Sequence, residues 1–254
     1  MQLGNISTRV SVGTGDEVLI GGFIVTGTQP KQVIARAIGP SLPLTGTLAD
    51  PVLELHDSTG ATIATNDNWM DDPNAGDIPT NLQPSEDLES AILMTLDPGF
   101  YTTIVRGVGA TTGAALVEVY DLDRTVDSKL ANISTRGLVQ TGDNVIIAGV
   151  IILGEADTDV LVRAIGPTLA DAGVNGALAD PVLELHDKDG ALITTNDDWK
   201  DTQQSEIEAL GLAPANDSES AILVTLSPDN YTAILRGKDG TTGVALVEAY
   251  NLSP

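Results

Sequence analysis

Two loops rich in aspartate and asparagine contain the side chains best suited to bind a metal ion. Residues 66–72 read Asn-Asp-Asn-Trp-Met-Asp-Asp and residues 196–201 read Asn-Asp-Asp-Trp-Lys-Asp, and a further acidic segment follows each loop at 87–89 and 217–219. Calcium prefers about six to eight hard oxygens from carboxylates, amides and backbone carbonyls, which such loops can supply. The loops are therefore candidate calcium sites, with the ligands Asp67, Asp71, Asp87, Asp197, Asp201 and Asp217.

The same loops have a simpler interpretation. Their spacing is not that of an EF-hand, and Asp and Asn often stabilise turns by hydrogen bonding to their own backbone. Each loop also holds one of the two tryptophans, Trp69 and Trp199. An exposed indole would offer a stacking platform for a sugar ring, whereas a buried indole would plug one end of a β-sandwich. Aromatic residues make up only 3% of the chain, which favours the plug.

The remaining polar residues do not form a catalytic constellation. The two histidines, His56 and His186, each follow a Leu-Glu-Leu strand and precede an aspartate. The sequence has no Gly-x-Ser-x-Gly elbow for a hydrolase and no cysteine. Arginines such as Arg36 recur in both halves, and we expect them to pair with carboxylates such as Glu54 or Glu118. The sequence thus predicts a protein that is not an enzyme, with both histidines facing solvent or a domain contact.

The charge balance excludes several classes of partner. Lysine and arginine total 12 against 36 aspartates and glutamates, a formal net charge of −24. Such a surface repels nucleic-acid phosphates and anionic lipid, so neither is an expected partner. No apolar run approaches the roughly 18 residues of a membrane-spanning helix, so we expect no membrane insertion. Bound divalent cations would relieve the repulsion between the acidic side chains.

The sequence repeats itself along its whole length. Leu-x-Asn-Ile-Ser-Thr-Arg begins at residues 3 and 130, and Arg-Ala-Ile-Gly-Pro begins at 36 and 163, an offset of 127. Asp-Pro-Val-Leu-Glu-Leu-His-Asp begins at 50 and 180, so the later part of the repeat has an offset of 130. We therefore predict one repeat over residues 1–122, a linker over 123–129 and a second repeat over 130–254.

The apolar pattern within each repeat is that of β-strands. Short β-branched runs are separated by glycine, proline and aspartate turns, as at residues 57–60 and 97–99. Residues 52–56 alternate, with Leu53 and Leu55 facing one way and Glu54 and His56 the other. About eight such strands per repeat predict an all-β protein of two tandem jelly-roll-like β-sandwich domains. One helical turn is expected over residues 205–210.

These motifs carry a resemblance. Together, Leu-x-Asn-Ile-Ser-Thr-Arg, Arg-Ala-Ile-Gly-Pro, Asp-Pro-Val-Leu-Glu-Leu-His-Asp and Thr-Asn-Asp-x-Trp resemble a repeat domain of large secreted bacterial proteins, mostly uncharacterised. The later two-thirds of each repeat is also similar to the bacterial pre-peptidase C-terminal domain, although the Pro-Gly-Phe-Tyr of residues 98–101 becomes Pro-Asp-Asn-Tyr at 228–231. The resemblance implies a secreted, non-catalytic β-sandwich that in some relatives is calcium-binding or adhesive.

The matching ends of the repeats suggest a structural role. The chain holds whole repeats, and its free ends resemble the pair of ends joined at the internal junction. We therefore expect an extracellular or cell-surface subunit that assembles head to tail into a filament, sheath or matrix element. The residues expected to make this contact are Leu3, Ile6, Tyr250 and Leu252. The alternative is a monomeric adhesive or carbohydrate-binding module of a secreted bacterial protein, with a glycan as its partner.

Overall fold

The computed structural model of the protein describes residues 2–123 and 125–252, with the backbone alone for residues 2–6 and 133. The first half contains β1 (Gln2–Val12), β2 (Leu19–Thr26), β3 (Lys31–Ile38), β4 (Pro51–His56), β5 (Thr62–Asn66), β6 (Ser90–Leu96), β7 (Gly99–Gly107) and β8 (Gly113–Asp121). The second half contains β9 (Lys129–Val139), β10 (Ile146–Leu153), β11 (Thr158–Ile165), β12 (Pro181–His186), β13 (Leu192–Asn196), β14 (Ser220–Leu226), β15 (Asn230–Gly237) and β16 (Gly243–Asn251).

Helical structure in the described residues is confined to short connections. The α-helices are α1 (Pro167–Asp171) and α2 (Gln204–Ala209). The 3₁₀ turns are Gly15–Glu17, Trp69–Asp71, Ala75–Asp77, Thr80–Leu82, Val108–Ala110, Trp199–Asp201 and Lys238–Gly240. Helix α2 confirms the helical turn expected near residues 205–210. None of the described helices has the length and apolar character needed to cross a membrane.

Each half has the strand order of a jelly roll. In the first half, β1, β8, β3 and β6 lie side by side in one sheet and β2, β7, β4 and β5 in the other, and all pairs are antiparallel. The second half repeats this order with β9, β16, β11 and β14 against β10, β15, β12 and β13. The prediction of an all-β, jelly-roll-like sandwich is therefore confirmed.

The two halves share both sheets. Strand β1 pairs with β10, and β9 pairs with β2, so each sheet runs on from one half into the other. The Thr8 and Thr135 side chains, which are equivalent in the repeat, lie between the halves and are joined by a hydrogen bond of 2.9 Å. Both side chains are fully buried. An internal pseudo-twofold axis therefore passes close to this pair.

One position beside this axis breaks the symmetry. Val10 of β1 is equivalent to Gly137 of β9, and a Cβ atom placed on Gly137 would lie 2.6 Å from Val10 Cγ1. Two valines could not occupy both positions without moving the backbone, because buried atoms pack at van der Waals distance. The two halves are thus fitted to each other rather than being interchangeable copies.

The linker predicted over residues 123–129 falls between β8, which ends at Asp121, and β9, which begins at Lys129. The strand pairing nevertheless crosses between the halves, so residues 1–122 and 130–254 are linked by backbone hydrogen bonds as well as by the chain. The division of the chain into two separate domains stays a prediction.

An aliphatic core runs through both halves. The inward-facing residues of β4 and β12 are buried and alternate with half-buried outward ones, as the sequence pattern predicts. Among aromatic side chains, Phe23 enters this core and stacks on Tyr101 with ring centroids 5.5 Å apart. A smaller cluster lies on the opposite face of β3 in the first half and of β11 in the second, under the loops that follow β5 and β13.

Candidate functional site

The acidic segments downstream of the two loops are partly structural. Glu89 is fully buried, and its Oε1 accepts hydrogen bonds from the backbone N–H groups of Gly39 and Ser41 at 3.2 and 3.0 Å. Glu219 does the same for Gly166 and Thr168 at 3.2 and 2.9 Å. These carboxylates hold the turn after β3 and β11, which explains why the Arg-Ala-Ile-Gly-Pro and Glu-Ser-Ala motifs recur together.

Glycine is required in the same turn. A Cβ atom on Gly39 would lie 2.1 Å from the Leu48 carbonyl oxygen, and one on Gly166 would lie 2.2 Å from that of Leu178. The backbone crosses too closely here for any side chain.

The Thr-Asn-Asp motif is also used to build the fold. Buried Asn66 accepts a hydrogen bond from the Ala91 N–H at 2.9 Å and donates to the Asn68 carbonyl at 2.9 Å. Asn196 makes the equivalent bonds to Ala221 and Asp198. The first asparagine of each loop is therefore fully occupied in fixing the loop against β6 or β14.

Two of the recurring arginine pairs, Arg36 with Arg163 and Arg106 with Arg236, form ion pairs with carboxylates, as the sequence predicts. Arg36 forms an ion pair with Glu118 and lies 5.2 Å from the centre of the Tyr120 ring. Arg163 does the same with Glu248 and Tyr250, at 5.0 Å from the ring centre. Burial and the neighbouring Glu248 carboxylate raise the pKa of Tyr250 to about 12. These groups stabilise the outer face of β3 and β11.

Each tryptophan packs under its loop, in the smaller cluster on the outer face of β3 or β11, and not between the two sheets as the predicted plug would. Trp199 is only 4% exposed, packs with Leu161 and Ile207, and donates its Nε1 hydrogen to the Asn216 carbonyl at 3.1 Å. Trp69 is half-buried against the cluster formed by Ile34, Ala91 and their neighbours. The Trp199 indole therefore has no open face of the kind that a sugar-stacking platform needs.

The histidines form local contacts on the sheet. His56 Nε2 lies 3.0 Å from Glu54 Oε2, and its Nδ1 lies 3.2 Å from the Gly60 carbonyl oxygen. His186 repeats these contacts with Glu184 and Gly190. Each ring thus bridges its strand to the following turn and is not held by a serine.

One group of three carboxylates comes within ligand distance among the described residues. It consists of Asp180, Asp197 and Asp198, at the end of the β12–β13 hairpin. The Lys238 ammonium already lies beside it, 3.3 Å from Asp180 Oδ2 and 2.7 Å from Asp197 Oδ2. Burial, and next the Asp197 charge, raise the pKa of Asp198, while hydrogen bonds to Asp197 and Asp180 raise that of Lys238.

The equivalent place in the first half has a different composition. Asp50 and Asp67 correspond to Asp180 and Asp197, but Val108 stands where the second half has Lys238. Burial raises the pKa of the Asp50 carboxyl, and the neighbouring Asp67 raises it further. The first half thus keeps two carboxylates together without a lysine between them.

Of the six predicted calcium ligands, only Asp197 belongs to the described three-carboxylate group. Asp71, Asp87, Asp201 and Asp217 are exposed, and Asp217 Oδ1 is paired with Lys200 Nζ at 2.5 Å. Asp180 was not among the predicted ligands, because it stands 17 positions before Asp197 in the sequence. The hairpin register, in which Leu183 opposes Asn196, brings the two together and could have revealed the pair.

The residues expected to make intermolecular contacts are engaged within the chain. The backbone of Ile6 in β1 opposes Val119 of β8 on one side and Val150 of β10 on the other, and Leu3 opposes Ile152. The side chains of Leu3 and Ile6 lie outside the described part. Tyr250 and Leu252 pack on the cluster around Trp199. Strands β1 and β16 therefore lie in the middle of the molecule, each between two neighbours.

The terminal strands of the sheets are β5 and β6 in the first half and β13 and β14 in the second. Strands β6 and β14 are guarded by side chains from the loops. Asn74 donates to the Leu93 carbonyl at 2.8 Å and Asp72 accepts from the Leu93 N–H, while Gln203 accepts from the Leu223 N–H at 3.3 Å. Such side chains occupy groups that would otherwise pair with another strand.

Strands β5 and β13 are different. Each pairs with one neighbour, β4 or β12, and their sequences Thr-Ile-Ala-Thr-Asn and Leu-Ile-Thr-Thr-Asn contain no charge and no proline. Ile63, Leu192 and Ile193 are 38%, 56% and 41% exposed. Unpaired, uncharged edges with apolar side chains are sites at which another strand can add.

An open groove of about 410 Å³ lies beside α2 in the second half. Its wall combines Asp159, Gln203 and Glu206 with Leu210, Leu223 and Leu252. The first half has 3₁₀ turns where α2 stands, so this groove is a feature of one half.

Comparison with known proteins adds no assignment, because no protein-family model and no curated protein sequence matches the chain.

Proposed function

We propose that the protein is a non-enzymatic extracellular structural subunit that assembles end to end into a surface fibre, sheath or matrix element. The observation that carries the proposal is the pair of unguarded edge strands, β5 and β13, at the two ends of the strand order. A rigid two-sheet body with one adhesive edge at each end has the form required of a linear polymer subunit. Its centre, where β1 meets β10 and β9 meets β2, is already an edge-to-edge junction of this kind.

The polar residues support a structural role over a catalytic one. The recurring glutamates, asparagines, arginines and tryptophans are engaged in contacts that hold loops and strands. The net charge of −24 opposes nonspecific aggregation through repulsion between molecules, so association would be limited to the specific contact between edge strands. A location outside the cell rests on the resemblance to secreted bacterial repeat domains.

Calcium stabilisation is a second part of the proposal. The best-supported place is the end of the β4–β5 and β12–β13 hairpins, where Asp50 meets Asp67 and Asp180 meets Asp197. Lys238 supplies a cation to the second pair, so calcium would act mainly at the first. A ligand that binds only the folded state raises stability by about 2.7 kcal/mol at a hundred times its Kd.

The alternative function is carbohydrate binding by a monomer. The observation in its favour is the groove beside α2, which joins carboxylate and amide groups with leucines. Sugar sites combine polar groups that fix orientation with apolar walls. Because Trp199 is buried, a glycan bound to the second half would occupy this groove and not the Trp199 indole.

Negative-stain electron microscopy of the purified chain, in calcium and in chelator, tests the proposal. We expect filaments in calcium, and shorter or fewer filaments in chelator. Filaments of equal length in both conditions would remove calcium from the proposal and keep the polymer. Isolated particles in both conditions, together with chemical-shift changes at Gln203 and Glu206 on addition of oligosaccharides, would replace it with the binding module.

A further inference from the structure

The two ends of the molecule differ in their charged groups, although their strands match. Lys188 stands in the turn before β13, Lys200 follows it, and Lys238 is bound to Asp197 at its end. The equivalent positions around β5 are Ser58, Met70 and Val108. The β5 end therefore presents Asp57, Asp67 and Asp71 without a lysine, whereas the β13 end carries lysines among its carboxylates.

This difference decides which ends can meet. Two β5 ends would bring carboxylates against carboxylates with no cation between them, which is unfavourable at close range. A β5 end facing a β13 end places lysines opposite carboxylates. The apolar contribution points the same way, since exposed Ile63, Met70 and Val108 at one end would cover exposed Leu192 and Ile193 at the other.

We propose that β13 of one molecule pairs with β5 of a second copy, extending one sheet across the contact and giving a polar, head-to-tail filament. This proposal rests on the proposed function and specifies its interface. The other sheet does not continue across the contact, because its edge strands β6 and β14 already hydrogen bond to the side chains of Asn74 and Gln203. The occupant is a second copy because the chain carries both halves of the contact, one at each end of its strand order.

Two single substitutions block one end each. Ile63→Lys places a charge on the β5 edge, and Ile193→Lys places one on the β13 edge; inward or edge lysines are a common barrier to strand addition. Phe100→Lys is the matched control, because Phe100 is 63% exposed on β7, a strand with neighbours on both sides. Circular dichroism and thermal unfolding check that each variant folds. Thr65→Lys on β5 and Leu192→Lys on β13 are a second pair of variants that block the same two edges.

Sedimentation velocity of the variants, alone and mixed, tests the interface. A head-to-tail contact predicts that Ile63→Lys and Ile193→Lys are each monomeric, that an equimolar mixture forms a one-to-one dimer, and that Phe100→Lys polymerises like the parent. In the otherwise unmodified chain, Lys188→Ser and Lys200→Met introduce the residues found at the equivalent positions of the first half. This double variant should need a protein concentration at least tenfold higher than the parent to assemble.

The outcomes separate this inference from the function on which it rests. Homodimers of either single variant would show an interface between like ends and overturn the head-to-tail pairing. Polymers of both single variants would show that β5 and β13 are not the contact, while the structural function stands. A parent chain that stays monomeric throughout would overturn both.

Discussion

A buried ion pair in the first half offers a sharp test of the energetics. Lys31 Nζ lies 2.9 Å from Asp121 Oδ2 and 2.5 Å from the Asp123 carbonyl oxygen, and both side chains of the pair are fully buried. The second half has Thr158 and Asn251 in the equivalent positions, so the same fold exists there without the charges. Lys31→Met removes the ammonium with little change in shape and leaves the Asp121 carboxylate buried without its cation.

We expect this substitution to cost about 3–5 kcal/mol, the usual cost of removing one partner from a buried pair. For a chain of this length, about 2–4 °C of melting temperature accompanies each kcal/mol, so the decrease should be about 6–20 °C. Adding Asp121→Asn, which introduces the residue found in the second half, should recover at least half of the loss, because no buried charge remains.

Differential scanning calorimetry of the parent, the single and the double variant measures these changes. Thr158→Val is the matched control, because the Thr158 hydroxyl is buried without a hydrogen-bond partner and its removal should leave stability unchanged or raise it. A Lys31→Met chain as stable as the parent would show that the buried ion pair does not contribute to stability. A double variant no more stable than the single one would show that the loss does not come from the unpaired Asp121 carboxylate.

Three further substitutions test other parts of the structure. Gly137→Val should destabilise the junction between the halves by about 1–3 kcal/mol in urea unfolding, and Val10→Ala should partly rescue it; an unchanged midpoint would contradict the packing. Glu89→Ala should cost about 3 kcal/mol or more by leaving the Gly39 and Ser41 N–H groups without their acceptor, whereas Glu86→Ala, at an exposed position, should cost little. Asp198→Asn should stabilise the chain at about pH 7, because burial raises the pKa of the Asp198 carboxyl and the charged form is therefore disfavoured in the folded state. The gain should fade as the pH falls through the folded-state pKa toward the unfolded value of about 3.9, and a gain that does not change with pH would be inconsistent with this cause.

The sequence pattern was sufficient to predict the strands, but it did not predict which strands pair between the two halves. The alternation of apolar and polar residues in β4 shows which face of the strand is buried, and the turn residues around it show where the strand ends. Both features can be read from neighbouring residues in the sequence. The pairing of β1 with β10 joins residues more than a hundred positions apart, and nothing in either strand's own pattern names its partner. The sequence predicted that β1 would contact another molecule. In the structure both edges of β1 are paired within the chain, with β8 and β10.

The candidate sites were predictable to the extent that they were local. The burial of Trp199 followed from the scarcity of aromatic residues. The grouping of Asp180 with Asp197 required the hairpin register, and the ammonium of Lys238 comes from the turn that connects β15 to β16. The unguarded edges of β5 and β13 became visible only with the sheet order, because Thr-Ile-Ala-Thr-Asn has the composition of any strand.

End-to-end self-assembly can be measured by sedimentation velocity of the unmodified chain over a wide range of protein concentration. We expect a series of oligomers whose length increases without limit as the protein concentration rises, because a contact between unlike ends does not close. A single monomeric species at every concentration, in calcium and in chelator alike, would contradict this expectation.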